Sequence, residues 1–301
     1  MTHPDSKEVT SLESLSSNHP GQLLVVATPI GNLSDISQRA LKTLRDVDCI
    51  LAEDTRHSKR LLGHYGINTR LRSCHEHNEE QQIEWVSEAL NEGKDIALIS
   101  DAGTPLISDP GFVLVRALRD RGLQVVTVPG PSSIIAALSI AGLPTDSFIY
   151  DGFLPAKASA REVALKHYAD ETRTVVLLES SHRIAACIAS IAKVIGDSRT
   201  IVIARELTKR FETVLSGSAS SLVERLAIDS DQSKGEFVVM IAGAASSENN
   251  DEMQTSLRAL LTVLVDELPV KQAVGLAVKL TGVRKNEAYS LAQEIRDEIA
   301  G

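Results

Sequence analysis

Four short apolar runs recur through the first 130 residues: Leu23–Ala27, Cys49–Ala52, Ile96–Ser100 and Val125–Val128. Runs this short and this free of polar residues predict strands buried on both faces. Between them, apolar residues return at helical spacing over Ser34–Thr43, Gln82–Asn91 and Phe112–Arg121, the last closed by Gly122. Strands alternating with amphipathic helices predict α/β layering around a largely parallel sheet. Gly142–Ser147 (GLPTDS) breaks the rhythm. A second unit follows, with strands at Thr174–Leu178, Thr200–Ala204 and Glu236–Ile241, a helix at Ile184–Val194 and a turn-rich stretch at Ser216–Ser220. Ala244–Asn250 (AASSENN) is small and polar and reads as a linker. From residue 254 to 301 the period is helical. The expected organisation is a disordered tail over 1–20, α/β units over 21–141 and 142–243, and a helix-turn-helix-like region over 251–301.

In an open α/β sheet, ligands sit at the carboxyl ends of the strands. The four strands of the first unit are followed by Thr28–Leu33 (TPIGNL), Glu53–His57 (EDTRH), Ser100–Gly111 (SDAGTPLISDPG) and Pro129–Ser133 (PGPSS). Three of the four are glycine- and proline-rich. Glycine lets backbone groups approach a ligand without a Cβ in the way, and proline removes loop freedom in advance. None of the three carries a lysine. Neither the dinucleotide fingerprint nor the phosphate loop ending in Gly-Lys-Ser/Thr occurs, which argues against nucleoside triphosphates. A stiff, lysine-free rim suits a neutral or cationic ligand with a flat heterocycle.

Composition narrows the setting. The chain has 301 residues, a formal net charge of −9 and three scattered cysteines, an odd number that predicts reduced thiols in a cytoplasmic protein. No apolar run approaches the roughly 18 residues that would span a bilayer. The first residues lack the cationic start and apolar stretch of a signal peptide. An acidic balance leaves nucleic acid only local basic patches to bind. One lies between Thr55 and His75, where Arg56, Lys59, Arg60, Arg70 and Arg72 occur without an acidic residue. Another lies in the tail, where Lys271, Lys279, Arg284 and Lys285 precede the next acid. There Ala273, Leu276, Ala277 and Leu280 share a helical face, Gly282 makes a turn, and Val283, Ala288 and Leu291 would pack the next helix against the first. Arg284, Lys285, Asn286 and Tyr289 would then point outward to RNA; a docking hairpin or dimer contact is the alternative. Cys74-His-Glu-His77 lacks the second cluster a closed metal site needs, so no metal is expected.

The segments TPIGNLSDIS, AEDTRHS, SDAGTPLISDPG, VPGPSS, GFLPAK (152–157) and ARELTKRFET (204–213) run in order along the chain. Together they resemble the ribosomal RNA small-subunit methyltransferase I family of the tetrapyrrole-methylase superfamily. The resemblance implies two α/β domains with S-adenosylmethionine in the cleft between them, a homodimer, and 2′-O-methylation of a cytidine in the decoding region of 16S rRNA, within the small ribosomal subunit. It assigns Gly103, Thr104 and Ile107 to the methionine part and ribose. It matches Ile30, Gly31, Ser132 and Ser133 to further lining positions, and Leu178, Ala204 and Met240 to the adenine pocket. HEHNE (75–79) resembles a family signature, giving His75, His77 or Asn78 a role on RNA.

Methyl transfer to a hydroxyl needs alignment and a group that takes the proton. Glu53 or Asp54 is expected as proton acceptor or orienter, with Arg56 on a phosphate or on the cofactor's carboxylate. The alternative is that Asp54 or Thr55 caps the next helix while Arg56 pairs with Glu53. Glu179 is a further candidate, or else a salt-bridge partner of Arg183 one turn on. Two other functions share these features: methylation of a small tetrapyrrole precursor, and a non-catalytic nucleic-acid-binding regulator. The basic segment and tail count against the first. The large cleft-forming body counts against the second.

Overall fold

The structure is a computed structural model that describes residues 20–244, 248–281, 283 and 285–300. The expected tail over 1–20 therefore lies outside the described residues except for Pro20, as do Ala245–Ser247 of the linker, Gly282 and Arg284.

The first unit runs β1 (Gln22–Val26), a 3-10 turn at Leu33–Asp35, α1 (Gln38–Asp46), β2 (Cys49–Ala52), α2 (Thr55–His64), β3 (Leu71–Ser73), α3 (Glu79–Asn91), β4 (Ile96–Ile99), α4 (Phe112–Asp120), β5 (Gln124–Val128) and α5 (Ser133–Ala141). Its sheet has the order β3-β2-β4-β1-β5, and every pairing is parallel. β2 and β4 are buried at every position. Val26, Ile50 and Ala97 pack under Ala40 and Leu44 of α1 and Leu62 of α2. On the other face, Leu23, Leu51 and Leu98 pack under α3 and α4 through Val86, Leu90, Leu114 and Leu118. Each large side chain so buried contributes about 1.5–3 kcal/mol.

The second unit runs β6 (Phe148–Phe153), α6 (Ala158–Lys166), β7 (Thr174–Ser180), α7 (Ile184–Val194), β8 (Ile201–Arg205), β9 (Thr213–Gly217), α8 (Ala219–Ile228) and β10 (Glu236–Ile241). Its order is β6-β7-β10-β8-β9; only β6 and β7 run parallel. An apolar run buried on both faces reads the same whichever way its neighbours point, which is why the sequence did not disclose the antiparallel pairs. The helices α6, α7 and α8 cover one face. The other is covered by α5, whose Ile134, Ala137 and Leu138 pack on Val176, Val202, Val238 and Met240. α5 thus follows the first sheet in sequence but belongs by packing to the second.

Local chemistry accounts for two shifted boundaries. The helix expected over Ser34–Thr43 is interrupted at Ile36 and Ser37, where the backbone is extended and the Ser37 hydroxyl accepts from Ala40 N to start α1. The turn expected at Ser216–Ser220 is shorter, because β9 continues to Gly217 and Ser218 caps α8.

The tail forms α9 (Glu248–Glu267), α10 (Val270–Thr281) and α11 (Lys285–Ala300). α9 takes in Glu248–Asn250 of the expected linker, since a polar first turn carries no apolar period to announce it. The three helices share an apolar core of Leu257, Leu261, Val274, Ala277, Val283, Ala288, Ala292 and Ile295. The buried face of α10 is Ala273, Val274 and Ala277; Leu276 and Leu280, expected to join it, are 41% and 70% exposed.

Candidate functional site

The carboxyl ends of β1, β4 and β5 converge, and the loops they launch are laced together. Thr28 and Gly103 exchange backbone hydrogen bonds of 2.9 and 3.1 Å, joining the first loop to the third. The Thr104 hydroxyl donates to the Pro131 carbonyl at 3.1 Å, joining the third to the fourth. Gly103 holds φ +81°, and a Cβ there would stand 3.3 Å from Ile30 Cγ2. Downstream, Leu106 and Ser108 occupy the left-handed region at φ 73° and 63°. Such residues cost about 1 kcal/mol or more each and cluster where a loop must hold an unusual shape. Glu79, nearly fully buried at the start of α3, fixes the loop's far end. Its carboxylate accepts from the N–H groups of Gly111 (2.8 Å), Val113 (3.0 Å) and Leu114 (3.3 Å), capping α4 from a neighbouring helix.

Across from this rim stands the second sheet. The two units touch where Asn32 N donates to the Thr208 hydroxyl at 3.0 Å and where the hydroxyls of Ser108 and Tyr150 lie 2.5 Å apart. Between them lies a cleft of about 450 Å³. Ile30, Gly103, Thr104, Ile107, Ser132, Ser133, Leu178 and Ala204 all line it, with Ser108, Asp109, Phe153, Leu207 and Val238. No lysine or arginine does so among the described residues. The first turn of α5 also faces in, through Ser133 and Ile134, and brings the unpaired N–H groups of a helix start.

Two of the ten expected lining residues do not line the cleft. Met240 is wholly buried in the apolar layer under α5, two residues beyond Val238. Gly31 serves the approach of the two units: a Cβ there would fall 2.5 Å from Lys209 Cγ and 2.8 Å from the Thr208 hydroxyl.

A second cavity, of about 500 Å³, adjoins the cleft and shares Ser108 and Asp109 with it. Glu53, His75, Glu76, His77, Glu79 and Pro110 complete its walls. Burial, then the charges of Asp101 and Asp109, push the Glu53 carboxyl above its usual range. Asp54 differs. It is exposed, it caps α2 by accepting from Arg56 N and His57 N at 2.7 and 3.3 Å, and these bonds hold its carboxyl below the usual range. Asp54 therefore follows the capping alternative and is a poor proton acceptor. Arg56 is exposed and makes no ion pair with Glu53.

Glu179 is among the residues lining the cleft, but its carboxylate is turned toward α7. There its carboxylate comes within 3.2 Å of Arg183, in poor alignment for a hydrogen bond, and near Cys187. The salt-bridge alternative describes it. Arg161 and Arg183 in turn donate to the carbonyls of Ala156 and Leu154, tying GFLPAK to this buried network.

Arg56, Lys59 and Arg60 stand exposed on α2, and Arg70 is exposed before β3. Arg72 is engaged inside: its guanidinium lies 4.1 Å over the Trp85 ring and donates to Gln82. Asn78 shapes the HEHNE turn, accepting from His75 N at 2.8 Å and donating to the Ser73 carbonyl. In the tail, Asn286 and Tyr289 are exposed; Lys285 opens α11, and Arg284 lies outside the described residues. Among the described residues no group of three or more His, Cys, Asp or Glu is set to share a metal ion, and no helix is long and apolar enough to cross a membrane. Glu79, Ser108 and Asp109 are among the site residues that sequence reasoning missed. The one signal for Glu79 was its place ending HEHNE, and for Asp109 its place in the long third loop.

Residues 22–223 match the family of tetrapyrrole (corrin/porphyrin) methylases, and residues 251–296 match the RsmI C-terminal HTH domain. The chain is 51% identical to ribosomal RNA small subunit methyltransferase I of Pseudomonas aeruginosa, over 90% of this chain and 96% of that protein. It is 48% identical to the protein of the same name from Escherichia coli O157:H7, over 92% and 96%. Among solved structures, the methyltransferase CobJ superposes with a TM-score of 0.55 at 17% identity, covering 75% of this chain and 95% of that one. Uroporphyrin-III-C-methyltransferase from Thermus thermophilus superposes with a TM-score of 0.51 at 19% identity, over 74% and 94%; at such identities the likeness is one of fold. With that fold, both matched regions and relatives near half identical over nine-tenths of its length, the chain belongs to the ribosomal RNA small subunit methyltransferase I family of the tetrapyrrole methylases.

Proposed function

We propose that the protein transfers a methyl group from S-adenosylmethionine to the ribose 2′-hydroxyl of a cytidine in 16S rRNA, acting on the small ribosomal subunit in the cytoplasm. The observation that carries this reading is the lysine-free, backbone-rimmed cleft that shares Ser108 and Asp109 with a second cavity lined by Glu53. The residues fit the donor. Leu178, Ala204, Leu207 and Val238 offer an apolar bed for a heterocycle, and the bare backbone at Gly103 leaves room that a Cβ would fill. The N–H groups at the start of α5 suit a carboxylate, and Asp109 suits a cationic centre. S-adenosylmethionine supplies, when bound, an electrophilic methyl on a sulfonium.

In this reading, Gly103, Thr104 and Ile107 hold the donor's aliphatic part and ribose, with Ser132 and Ser133 on its carboxylate side. Glu53 orients the acceptor sugar in the second cavity. Arg56, Lys59, Arg60 and Arg70 grip phosphates around it, joined by Arg284, Lys285, Asn286 and Tyr289 of the tail. Few aromatic residues are available for base stacking, so the folded shape of the RNA is what these contacts recognise. A homodimer fits the 57% and 46% exposure of Ile135 and Ile140 on α5.

The test is transfer of labelled methyl to small subunits purified from cells lacking the protein, with uroporphyrinogen as the competing acceptor. Label in one cytidine of 16S rRNA supports the reading. Label in uroporphyrinogen, or in no RNA, overturns it.

A further inference from the structure

The second sheet brings three of its loops to one edge. β6 runs parallel to β7, and β7 and β8 both run antiparallel to β10 between them, so β6, β7 and β8 all end on the same side. That side is the cleft: Phe153, Ser181 and Leu207, from the ends of these three strands, line it. Just beyond these lining residues, the same loops carry Phe211 at 61% exposure and the exposed side chains of Lys157 and Arg210, which join no ion pair among the described residues. Neither the fold nor donor binding calls for them. We propose that this edge is a second RNA-binding surface, on which single-stranded RNA beside the acceptor nucleotide lies, Phe211 stacking on an unpaired base and Lys157 and Arg210 holding phosphates. The proposal rests on the methyl-transfer reading above.

The backbone beneath these side chains is fixed from inside. Arg183 and Arg161 donate to the carbonyls of Leu154 and Ala156, just ahead of Lys157. Buried Arg205 donates to the carbonyls of Lys234 (2.6 Å) and Phe211 (3.4 Å), so the Phe211 backbone is held while its ring stands in solvent. Glu206 and Thr208 occupy the left-handed region at φ 50° and 65°, and Asn32 N reaches over from the first unit to the Thr208 hydroxyl. An aromatic ring kept in water by so constrained a loop suits a flat partner. The acids of the edge are engaged internally. Glu206 and Glu236 pair with Lys209 at 2.9 and 3.0 Å, Glu212 accepts from Thr208 N, and Glu179 faces Arg183. That leaves Lys157 and Arg210 unopposed. Lys157 also occupies the N-cap of α6, where the helix dipole opposes a cation and attracts a phosphate. β6 and β8 stand three strand spacings apart, roughly 14 Å, the reach of a few nucleotides. Stacking on a ring needs no particular base. The surface therefore tracks the strand while the folded RNA sets its position.

Four full-length proteins test this: wild type, Phe211→Ala, Phe211→Trp, and a double variant joining Lys157→Ala to Arg210→Ala. Each is measured for binding to small subunits from cells lacking the protein across a range of salt, and for steady-state methyl transfer. S-adenosylhomocysteine affinity, thermal unfolding and molar mass by light scattering complete the set. Phe211→Ala is expected to weaken subunit binding by about tenfold at an unchanged salt slope, as loss of a stacking platform does, and Phe211→Trp to keep the affinity. The double variant should flatten the slope of log affinity against log salt by about 1.4, the value for two single-strand phosphates. Both losses should appear in KM, with kcat and S-adenosylhomocysteine affinity within about threefold of wild type. Unchanged subunit affinity and salt slope in Phe211→Ala and the double variant overturn the proposal, while methyl transfer by wild type keeps the reading intact. A matching fall in S-adenosylhomocysteine affinity or unfolding midpoint also overturns it, since the loops would then serve only the donor or the fold. Wild-type dimers that become monomers in Phe211→Ala assign the edge to a second copy of the chain and overturn it as well. Wild type that labels no RNA removes the reading and the proposal together.

Discussion

At Gly103 two constraints meet in one residue. Its φ of +81° is open to glycine and costly for a β-branched residue, and the missing Cβ keeps Ile30 at contact distance across the rim. Gly103→Val is expected to weaken S-adenosylhomocysteine binding by about 100-fold or more while costing about 1–2 kcal/mol of stability, the price of a left-handed β-branched residue. Calorimetry and denaturant unfolding read the two effects separately. Glu53 carries a different tension. Its carboxyl is raised in the folded protein, so the folded state holds that proton more tightly than the unfolded chain does. The ionised form at neutral pH therefore opposes folding. Glu53→Gln should raise the unfolding midpoint at pH 7.5 and slow methyl transfer. The stabilisation should shrink as pH falls through the raised pKa toward the ordinary glutamate value of about 4.3. A variant less stable than wild type at pH 7.5 would show that Glu53 is a structural group. The glycine and proline character of the rim was readable in the sequence, because each such residue announces its own backbone conformation. Asp109 and Glu79 were not, because what defines them is the wall or helix they meet after the chain has folded.

Among the secondary-structure elements, α4 shows how the site is held from a distance. It begins at Gly111 with no cap from its own loop, and its first N–H groups are satisfied by Glu79 of α3. Glu79→Ala would leave two buried donors and one part-buried donor without that acceptor. A loss of about 3 kcal/mol or more in denaturant unfolding is expected, since hydrogen bonds to a charged group contribute about 1.5–3 kcal/mol each and are not additive. Donor affinity should fall with it, because Ser100–Gly111 would lose its far anchor. A loss below about 0.5 kcal/mol, the scale of an ordinary surface change, would contradict the capping role. The strands β1, β2, β4 and β5 were readable because each is an apolar run closed by a distinctive loop. β3, with three half-buried residues, left too short a run. The basic stretch from Thr55 to His75 divided on folding. Arg56, Lys59 and Arg60 stay in solvent, whereas Arg72 turns onto Trp85, which only the packing of α3 against β3 could disclose.

Across the whole molecule, function depends on contacts between segments remote in sequence. Asn32 and Thr208 lie 176 residues apart, and Ser108 and Tyr150 lie 42 apart, yet these pairs join the two units at the cleft. Gly31 and Thr208 make sense only together, one by lacking a side chain and the other by reaching across. That is why Gly31 read as a lining residue from its loop and proved to be a point of approach. α5 repeats the lesson at larger size: it follows the first sheet in sequence and covers the second, so its first turn enters the cleft while its body cements the two units. The most direct test is a crystal structure of the full chain with S-adenosylhomocysteine at saturation. The expected density spans the cleft from Leu178 and Ala204 to Gly103 and the start of α5, with the sulfur turned toward Asp109. Density elsewhere, or an empty cleft at saturating ligand, would contradict it.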